Sequence, residues 1–340
     1  MQNEKFPLIS LIVLFYKQGQ YVRETLEGAF SQDYPNLEIV ISDDNSPDET
    51  FEVIQDVLKG YKGKHKIKLN RNEINLGLID HLNKICMHIA QGQYYVMNGG
   101  DDISVSTRCS DVFRLFSSDR HIKFVYGSYY SMSESGEILK ELSWAKKKIN
   151  NTMMAIKDYQ GFTGAACSYH RDVFDCFGPI TFSTIEDRTL IFRSMLLGKG
   201  IISDSFHVKY RLGGMTNMNG LSPKQYASMR LDWMLKHHLG AYSQLMEDIK
   251  KPFVKNGITK IDLINHCKKR IYMLDQLDVL KKYDDSALNT LKFIINFYKR
   301  GNVKEENKII HLLLLSKIPN FLTLPLNKIR RFIKAIVKND

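Results

Sequence analysis

The sequence predicts an α/β fold, a mostly parallel sheet flanked by helices, followed by a mainly helical C-terminal region. Two observations carry this expectation. Through the first two hundred residues, short apolar runs rich in β-branched and aromatic residues alternate with stretches whose apolar residues recur at helical spacing, the pattern of βαβ units. Beyond Pro223 the spacing becomes helical and the charge balance changes. The expected domains are therefore 1–222 and 223–340.

Residues 8–16 are nearly all apolar, as a central parallel strand covered on both faces requires. Residues 21–30 place Val22, Leu26 and Ala29 or Phe30 at helical spacing. Residues 37–42 form a second strand that runs into Asp43-Asp44-Asn45-Ser46-Pro47-Asp48-Glu49-Thr50, a cluster of turn formers and N-cap residues ahead of a helix over 50–58. A third strand is expected at 67–70, and Asn75-Leu76-Gly77-Leu78 opens a helix through 90. Residues 94–97 make a short buried strand that ends on Gly99-Gly100-Asp101-Asp102. Residues 124–128 are another strand. Residues 131–160 are polar and poorly periodic, and read as a loop or a region near an acceptor. The small residues of 161–167 suit either a backbone wall against a ligand or tight packing. Glu186-Asp187 precedes an apolar-rich helix over 190–197, and 201–203 and 208–211 look like closing strands.

Composition narrows the function classes. The 340 residues can bury a full core, and 44% hydrophobic with 25% charged residues is ordinary for a folded chain. Five cysteines without a CxxC pair argue for a reducing compartment, without disulfides or structural zinc. No run of 18 apolar residues is present, so no membrane span is expected, and the start of the chain lacks the basic n-region of a signal peptide. The expected location is cytoplasmic. The net charge of +11 is uneven: residues 226–340 hold 22 Lys+Arg against 11 Asp+Glu, whereas the first 225 hold 26 of each. Such an excess signals a partner rather than a fold. In the tail, Ile329, Phe332, Ile333 and Ile336 share one helical face and five basic residues populate the rest. A helix of this kind suits peripheral contact with the inner face of an anionic cell membrane, or packs on its own domain with a solvated basic face. No nucleic-acid-binding motif accompanies the charge, and no nucleic-acid partner is expected.

The chemistry concentrates at Gly99-Gly100-Asp101-Asp102. Glycines let backbone approach a ligand, and aspartates are hard oxygen ligands for Mg²⁺ or Mn²⁺. In an open α/β sheet, ligands bind beyond the carboxyl ends of the strands, which brings both acidic clusters to one edge. A surface turn is the alternative for the same residues. For Glu186-Asp187 the alternative is complementing a helix dipole, worth about 0.3–1 kcal/mol.

Taken in order, the apolar strand ending at Tyr16, Gln32-x-Tyr34, Asp43-Asp44-x-Ser46-x-Asp48-x-Thr50, Asn75-x-Gly77, Gly100-Asp101-Asp102 and Glu186-Asp187 resemble glycosyltransferase family 2, with the GT-A fold. The likeness covers about residues 6–215. It implies an inverting transferase that uses a nucleotide-diphosphate sugar, most readily a UDP-sugar and next a deoxythymidine-diphosphate sugar, with a divalent cation, Mg²⁺ or Mn²⁺. The acceptor it implies is a saccharide or lipid-linked saccharide of a cell-surface polysaccharide or glycolipid. By the same resemblance Asp44 matches the nucleobase contact, with Tyr16 and Asp43 beside the nucleotide. Asp102 matches the metal ligand, Asp101 lies nearer the donor ribose or sugar, and Asp187 matches the catalytic base. Tyr210-Arg211 resembles a pair at the end of the catalytic domain, where Arg211 contacts the diphosphate or pairs with an acidic neighbour. Lys17 stands where the family commonly has asparagine, and Gly99 where many members carry an aspartate. A non-catalytic nucleotide-sugar-binding scaffold subunit is the alternative function.

Overall fold

The computed structural model describes residues 6–143, 162–182, 184–213, 223–254 and 258–283. The amphipathic tail, the apolar run at 309–315 and residues 144–161 lie outside them.

Strand β1 (Ile9–Phe15) sits between β2 (Leu37–Asp43) and β4 (Tyr94–Gly99), and β3 (Lys66–Arg71) lies beyond β2, all parallel. Their apolar runs are buried because helices cover both faces. Leu11, Val13, Ile39, Ile41 and Val96 pack against α1 (Val22–Phe30), α2 (Thr50–Lys59) and α4 (Arg108–Ser118). Ile12, Val40 and Tyr95 face α3 (Leu78–Lys84), which runs on as a π turn to Ile89, and α6 (Glu186–Leu197). The alternation of neighbouring residues between two cores is the strand's period of two made visible.

Beyond β4 the sheet becomes mixed. β8 (Cys167–His170) runs antiparallel between β4 and β6 (Ile122–Met132), and β9 (Lys199–Arg211) lies parallel to β6. The two-residue β5 (Ile103–Ser104) closes the far edge against β9. The expected parallel sheet is thus its N-terminal half.

Several elements depart from expectation. The polar stretch read as a loop from 131 begins as the end of β6 and folds back through a turn into β7 (Ile138–Leu142), which pairs with β6. Its strand residues are mostly exposed, so no apolar alternation marked them. The two closing strands at 201–203 and 208–211 are one strand of 13 residues. Helix α4 gave no sequence expectation, and α5 (Asp172–Asp175) is a single turn.

After the sheet, α7 (Pro223–Ile249) and α8 (Ile258–Tyr283) pair with each other, and α7 packs on α6. No helix among the described residues is long and apolar enough to cross a membrane.

Candidate active site

Strand register sets the site. Phe15 is level with Asp43, and Leu14 with Gly99, so the turns after β1, β2 and β4 meet at one sheet edge. The Asp44 N–H donates to the Phe15 carbonyl at 2.9 Å, and the Thr25 hydroxyl of α1 donates to the Gly100 carbonyl at 3.1 Å.

The first acidic pair is occupied by its own chain. Asp43 accepts from Ser46 N at 3.0 Å and Ser46 Oγ at 2.5 Å, with the Arg71 guanidinium 3.6 Å away. Asp44 accepts from Asn72 Nδ2 at 2.7 Å, Leu76 N at 2.9 Å and Gly77 N at 2.9 Å, pinning the 72–77 loop. Lys17 and Asn45 both adopt left-handed backbone conformations, φ 57° and 55°, in turns that Ser46 links by accepting from Lys17 N at 3.0 Å. Tyr16 precedes that turn, partly exposed, and its N–H donates to Gln18 Oε1 at 3.2 Å.

The second pair has few protein donors. Asp102 is buried and its Oδ1 accepts one N–H, from Arg211, at 2.8 Å. A Cβ at Gly99 would lie 2.8 Å from Asp102 Oδ2 and 3.0 Å from Asp101 Oδ1, so two carboxylates converge over the bare glycine. Burial pushes both pKa values up, and the Asp101 charge pushes Asp102 further, opposed by the Arg211 N–H and the charges of Arg108 and Arg211. Two crowded, under-donated carboxylates suit a divalent cation. Among the described residues no cluster of three or more His, Cys, Asp or Glu could hold a metal. Mg²⁺ and Mn²⁺ take one or two carboxylates and complete their shell with phosphate and water.

Arg211 lies beneath this turn, 2% exposed. Its guanidinium donates to the carbonyls of Asp101 at 2.9 Å, Ser133 at 3.1 Å and Glu134 at 2.6 Å, pairs with Glu24, and sits 4.3 Å from the Tyr21 ring centroid. Of the two roles open to it from the sequence, the structure displays the acidic pairing. The fully buried Arg108 supports the turn from the other side. It donates to Met97 O at 2.8 Å, Ser104 Oγ at 3.1 Å and Asn98 Oδ1 at 3.3 Å, while Asn98 Nδ2 donates to Asp102 O at 3.0 Å.

Asp187 occupies the first turn of α6, 6% exposed, across the sheet edge. Its neighbour Glu186 is pushed up to about 8 by burial and the Asp187 charge. Tyr210, beside Arg211, joins the two halves: burial and the charges of Asp102, Asp101, Tyr129 and Asp187 push its hydroxyl up to about 12. Asp101, Asp102 and Asp187 therefore share one neighbourhood, with Tyr16, Asp43 and Asp44 on its flank. Tyr210 is named from the sequence as half of the Tyr210-Arg211 pair, without a role of its own. Gln18, Glu24 and Arg108 are not singled out there, because they sit in helical or turn sequence that reads as solvated.

Residues 10–178 match Glycosyl transferase family 2. That stretch is a family 2 glycosyltransferase domain. An uncharacterized glycosyltransferase of Haemophilus influenzae is 33% identical over 126 residues, 37% of this chain and 38% of the relative. The UDP-Glc:alpha-D-GlcNAc-diphosphoundecaprenol beta-1,3-glucosyltransferase WfaP of Escherichia coli is 30% identical over 123 residues, 36% of this chain and 46% of WfaP. Each match therefore spans less than half of its relative. Among solved structures, S. aureus TarS 1-349 in complex with UDP-GlcNAc aligns with a TM-score of 0.58 at 14% identity, covering 92% of this chain and 84% of that one. A mannosyltransferase of Pyrobaculum calidifontis, in complex with GDP-Man and Mn²⁺, aligns at 0.56 and 13% identity, covering 94% and 88%. Likeness at that identity speaks to architecture, and the architecture is GT-A.

Proposed function

We propose that this glycosyltransferase moves a sugar from a nucleotide-diphosphate sugar, a UDP-sugar, onto a saccharide or lipid-linked saccharide with inversion, in the synthesis of cell-surface polysaccharide or glycolipid. The observation that supports the reading is the donor-poor carboxylate pair Asp101 and Asp102, whose charges act on the Tyr210 hydroxyl together with that of the helix-borne Asp187.

In this reading Asp102, with Asp101 beside it, would hold Mg²⁺ or Mn²⁺, which when bound would supply Lewis-acid stabilisation of the charge on the leaving diphosphate. The flank formed by Tyr16, Asp43 and the loop pinned by Asp44 receives the nucleotide. Asp187 takes the proton of the acceptor hydroxyl as its oxygen attacks the anomeric carbon. The bond to the diphosphate oxygen breaks with its electron pair leaving on the phosphate, and attack from the opposite face inverts the centre. Arg211 keeps the Asp101-Asp102 turn in place through its backbone N–H and its bond to the Asp101 carbonyl.

Support for a lipid-linked acceptor comes from the name of the E. coli relative, which specifies a diphosphoundecaprenol substrate for that protein. The basic excess of residues 226–340 suits an anionic inner membrane face, where such an acceptor is presented. The test is a panel of nucleotide sugars with Mn²⁺ or Mg²⁺, following donor hydrolysis and calorimetric binding for wild type and Asp187→Asn. Metal-dependent release of one nucleotide diphosphate, lowered about 10²–10⁴-fold by Asp187→Asn with donor binding retained, is the expected result. Absence of binding to every nucleotide sugar sinks the reading.

A further inference from the structure

We propose that helix α7 is part of the catalytic unit, with Arg188 as the positioning residue that ties the first turn of α6, and so Asp187, to His238 and Tyr242. The inference rests on Asp187 being the base, as read above.

Helix α6 begins without a side-chain cap: its N-cap residue is Ile185, which has no polar atom to offer. The hydroxyls of Thr184 and Thr189, 2.9 Å apart, brace the turn that carries Asp187 locally, and a further hold reaches outside it. The next residue, Arg188, is 0% exposed, and its guanidinium reaches from α6 to α7. It donates to His238 Nδ1 at 2.8 Å and to Tyr242 Oη at 2.7 Å, one turn apart on α7. The same guanidinium lies 4.8 Å from the Tyr242 ring centroid and 5.4 Å from that of Phe192. An arginine has no acceptor, so His238 Nδ1 must present a lone pair, which makes His238 neutral with its proton on Nε2. A buried guanidinium tolerates little displacement, because each lost acceptor leaves a desolvated charge-bearing donor behind.

A second tie fixes the axis. Arg193, five residues on and also 0% exposed, grips Asp248 of α7 at 2.9 and 3.3 Å and donates to the carbonyls of Val173, Gly178 and Pro179. Gln244 Oε1 accepts from Thr181 N at 2.8 Å and Phe182 N at 3.3 Å, so α7 also holds the segment leading into α6. Two buried anchors stop the helix from sliding along or turning about its own axis. The donor side of the site, Asp101-Asp102 and the 43–46 turn, has no part in these contacts.

The experiment uses the full chain with Arg188→Lys, Arg188→Met and Tyr242→Phe, the last keeping the ring and removing only the hydroxyl. Calorimetry follows Mn²⁺-dependent nucleotide-sugar binding, donor hydrolysis gives kcat, and amide hydrogen exchange reads residues 186–189. Misplacing a reacting group by about 1 Å costs on the order of a hundredfold. Donor affinity is therefore expected within about twofold of wild type, while kcat falls about tenfold in Tyr242→Phe and about a hundredfold in Arg188→Met, with Arg188→Lys between them. Exchange at 186–189 should quicken while β1 and β4 stay protected. Folded variants with wild-type kcat and unchanged exchange at 186–189 overturn the tie. Donor affinity and kcat that fall together also overturn it, since that pattern reports general loss of structure. A wild type that binds no nucleotide sugar overturns the base reading, and the catalytic sense of the tie with it. Wild-type turnover with unresponsive variants overturns the tie alone.

Discussion

The two aspartate pairs at the sheet edge are spelled alike and use their oxygens in opposite ways. Asp43 and Asp44 accept five hydrogen bonds from Ser46, Asn72, Leu76 and Gly77, all within their own turns and the adjoining loop. Asp102 accepts one backbone N–H, and Asp101 is helped by Gln18. The first pair builds a wall. The second is left short of donors, as the proposed cation site requires. A carboxylate's role is thus set by how many donors the fold aims at it, a property that the residue type does not carry.

The largest expected effect comes from removing charge from that second pair. Asp102→Asn keeps an oxygen to accept the Arg211 N–H and deletes the charge. Mn²⁺-dependent turnover should fall about a hundred- to a thousandfold, and the rise in Tm that Mn²⁺ gives the wild type should vanish. The metal-free proteins should differ in the other direction. The Asp102 pKa is raised in the folded state, so the folded chain binds the proton more tightly than the unfolded one. That contribution is present below the ordinary aspartate value near 4 and is lost as pH rises through the higher folded value. Metal-free wild type should therefore lose stability relative to Asp102→Asn on going from about pH 4 toward neutrality. Denaturant melts of both proteins at several pH values, without metal, check the sign. An opposite slope would mean that Asp102 is already compensated by the chain.

Asp44→Ala should act on stability first. It strands the buried side-chain donor of Asn72, while the half-buried N–H groups of Leu76 and Gly77 can turn to water, so the cost should be about 3 kcal/mol, the upper worth of one hydrogen bond to a charged acceptor. Urea unfolding gives that number. Mn²⁺ affinity measured on the surviving folded protein should stay close to wild type, which separates the wall from the metal turn.

How much of this was legible in the sequence follows from the range of the interactions involved. The strands β1, β2 and β4 and the acidic turns after them announce themselves locally, through apolar runs closed by Gly and Asp. The antiparallel β8, four residues long, and the exposed β7 carry no periodicity of their own and exist because β4 and β6 offer edges. Helix α4 was missed because its buried face includes Arg108 and Asp111, which read as solvent-facing. Arg188 and Arg193 hid in the same way. A buried arginine looks like a surface one until its acceptors, 50 and 55 residues away, are folded against it. The contrast between the aspartate pairs was equally hidden, because it depends on Asn72 and Gly77 reaching Asp44 and on Arg211 reaching Asp102.

Two glycines sharpen the comparison at lower cost. Gly99→Ala meets no backbone restriction, but its methyl group would fall among the carboxylate oxygens of Asp101 and Asp102, 2.8 and 3.0 Å away. Because the Arg211 N–H holds Asp102, the displaced carboxylate has little freedom to re-form the pair. Mn²⁺ affinity should drop about tenfold, equivalent to about 1.4 kcal/mol, with a smaller fall in metal-free stability than Asp44→Ala gives.

Gly77→Ala should disturb the metal turn least and act on stability instead. Gly77 has φ 74° and ψ 163°, a backbone region essentially confined to glycine, with nothing within 4 Å of a Cβ, so the substitution clashes with nothing but strains the backbone. That costs about 1–3 kcal/mol. The Gly77 N–H still points at Asp44 Oδ2, so the strain is borne by the Asp44 hydrogen bonds that hold the loop. In an Asp44→Ala background the loop is no longer pinned and Gly77→Ala should cost less, a coupling that a double-mutant cycle on urea unfolding reads directly. Mn²⁺ affinity should not respond. If Gly77→Ala lowers it as much as Gly99→Ala does, the 72–77 loop and the metal turn are one unit, and the two aspartate pairs share the cation's site rather than dividing wall from ligand.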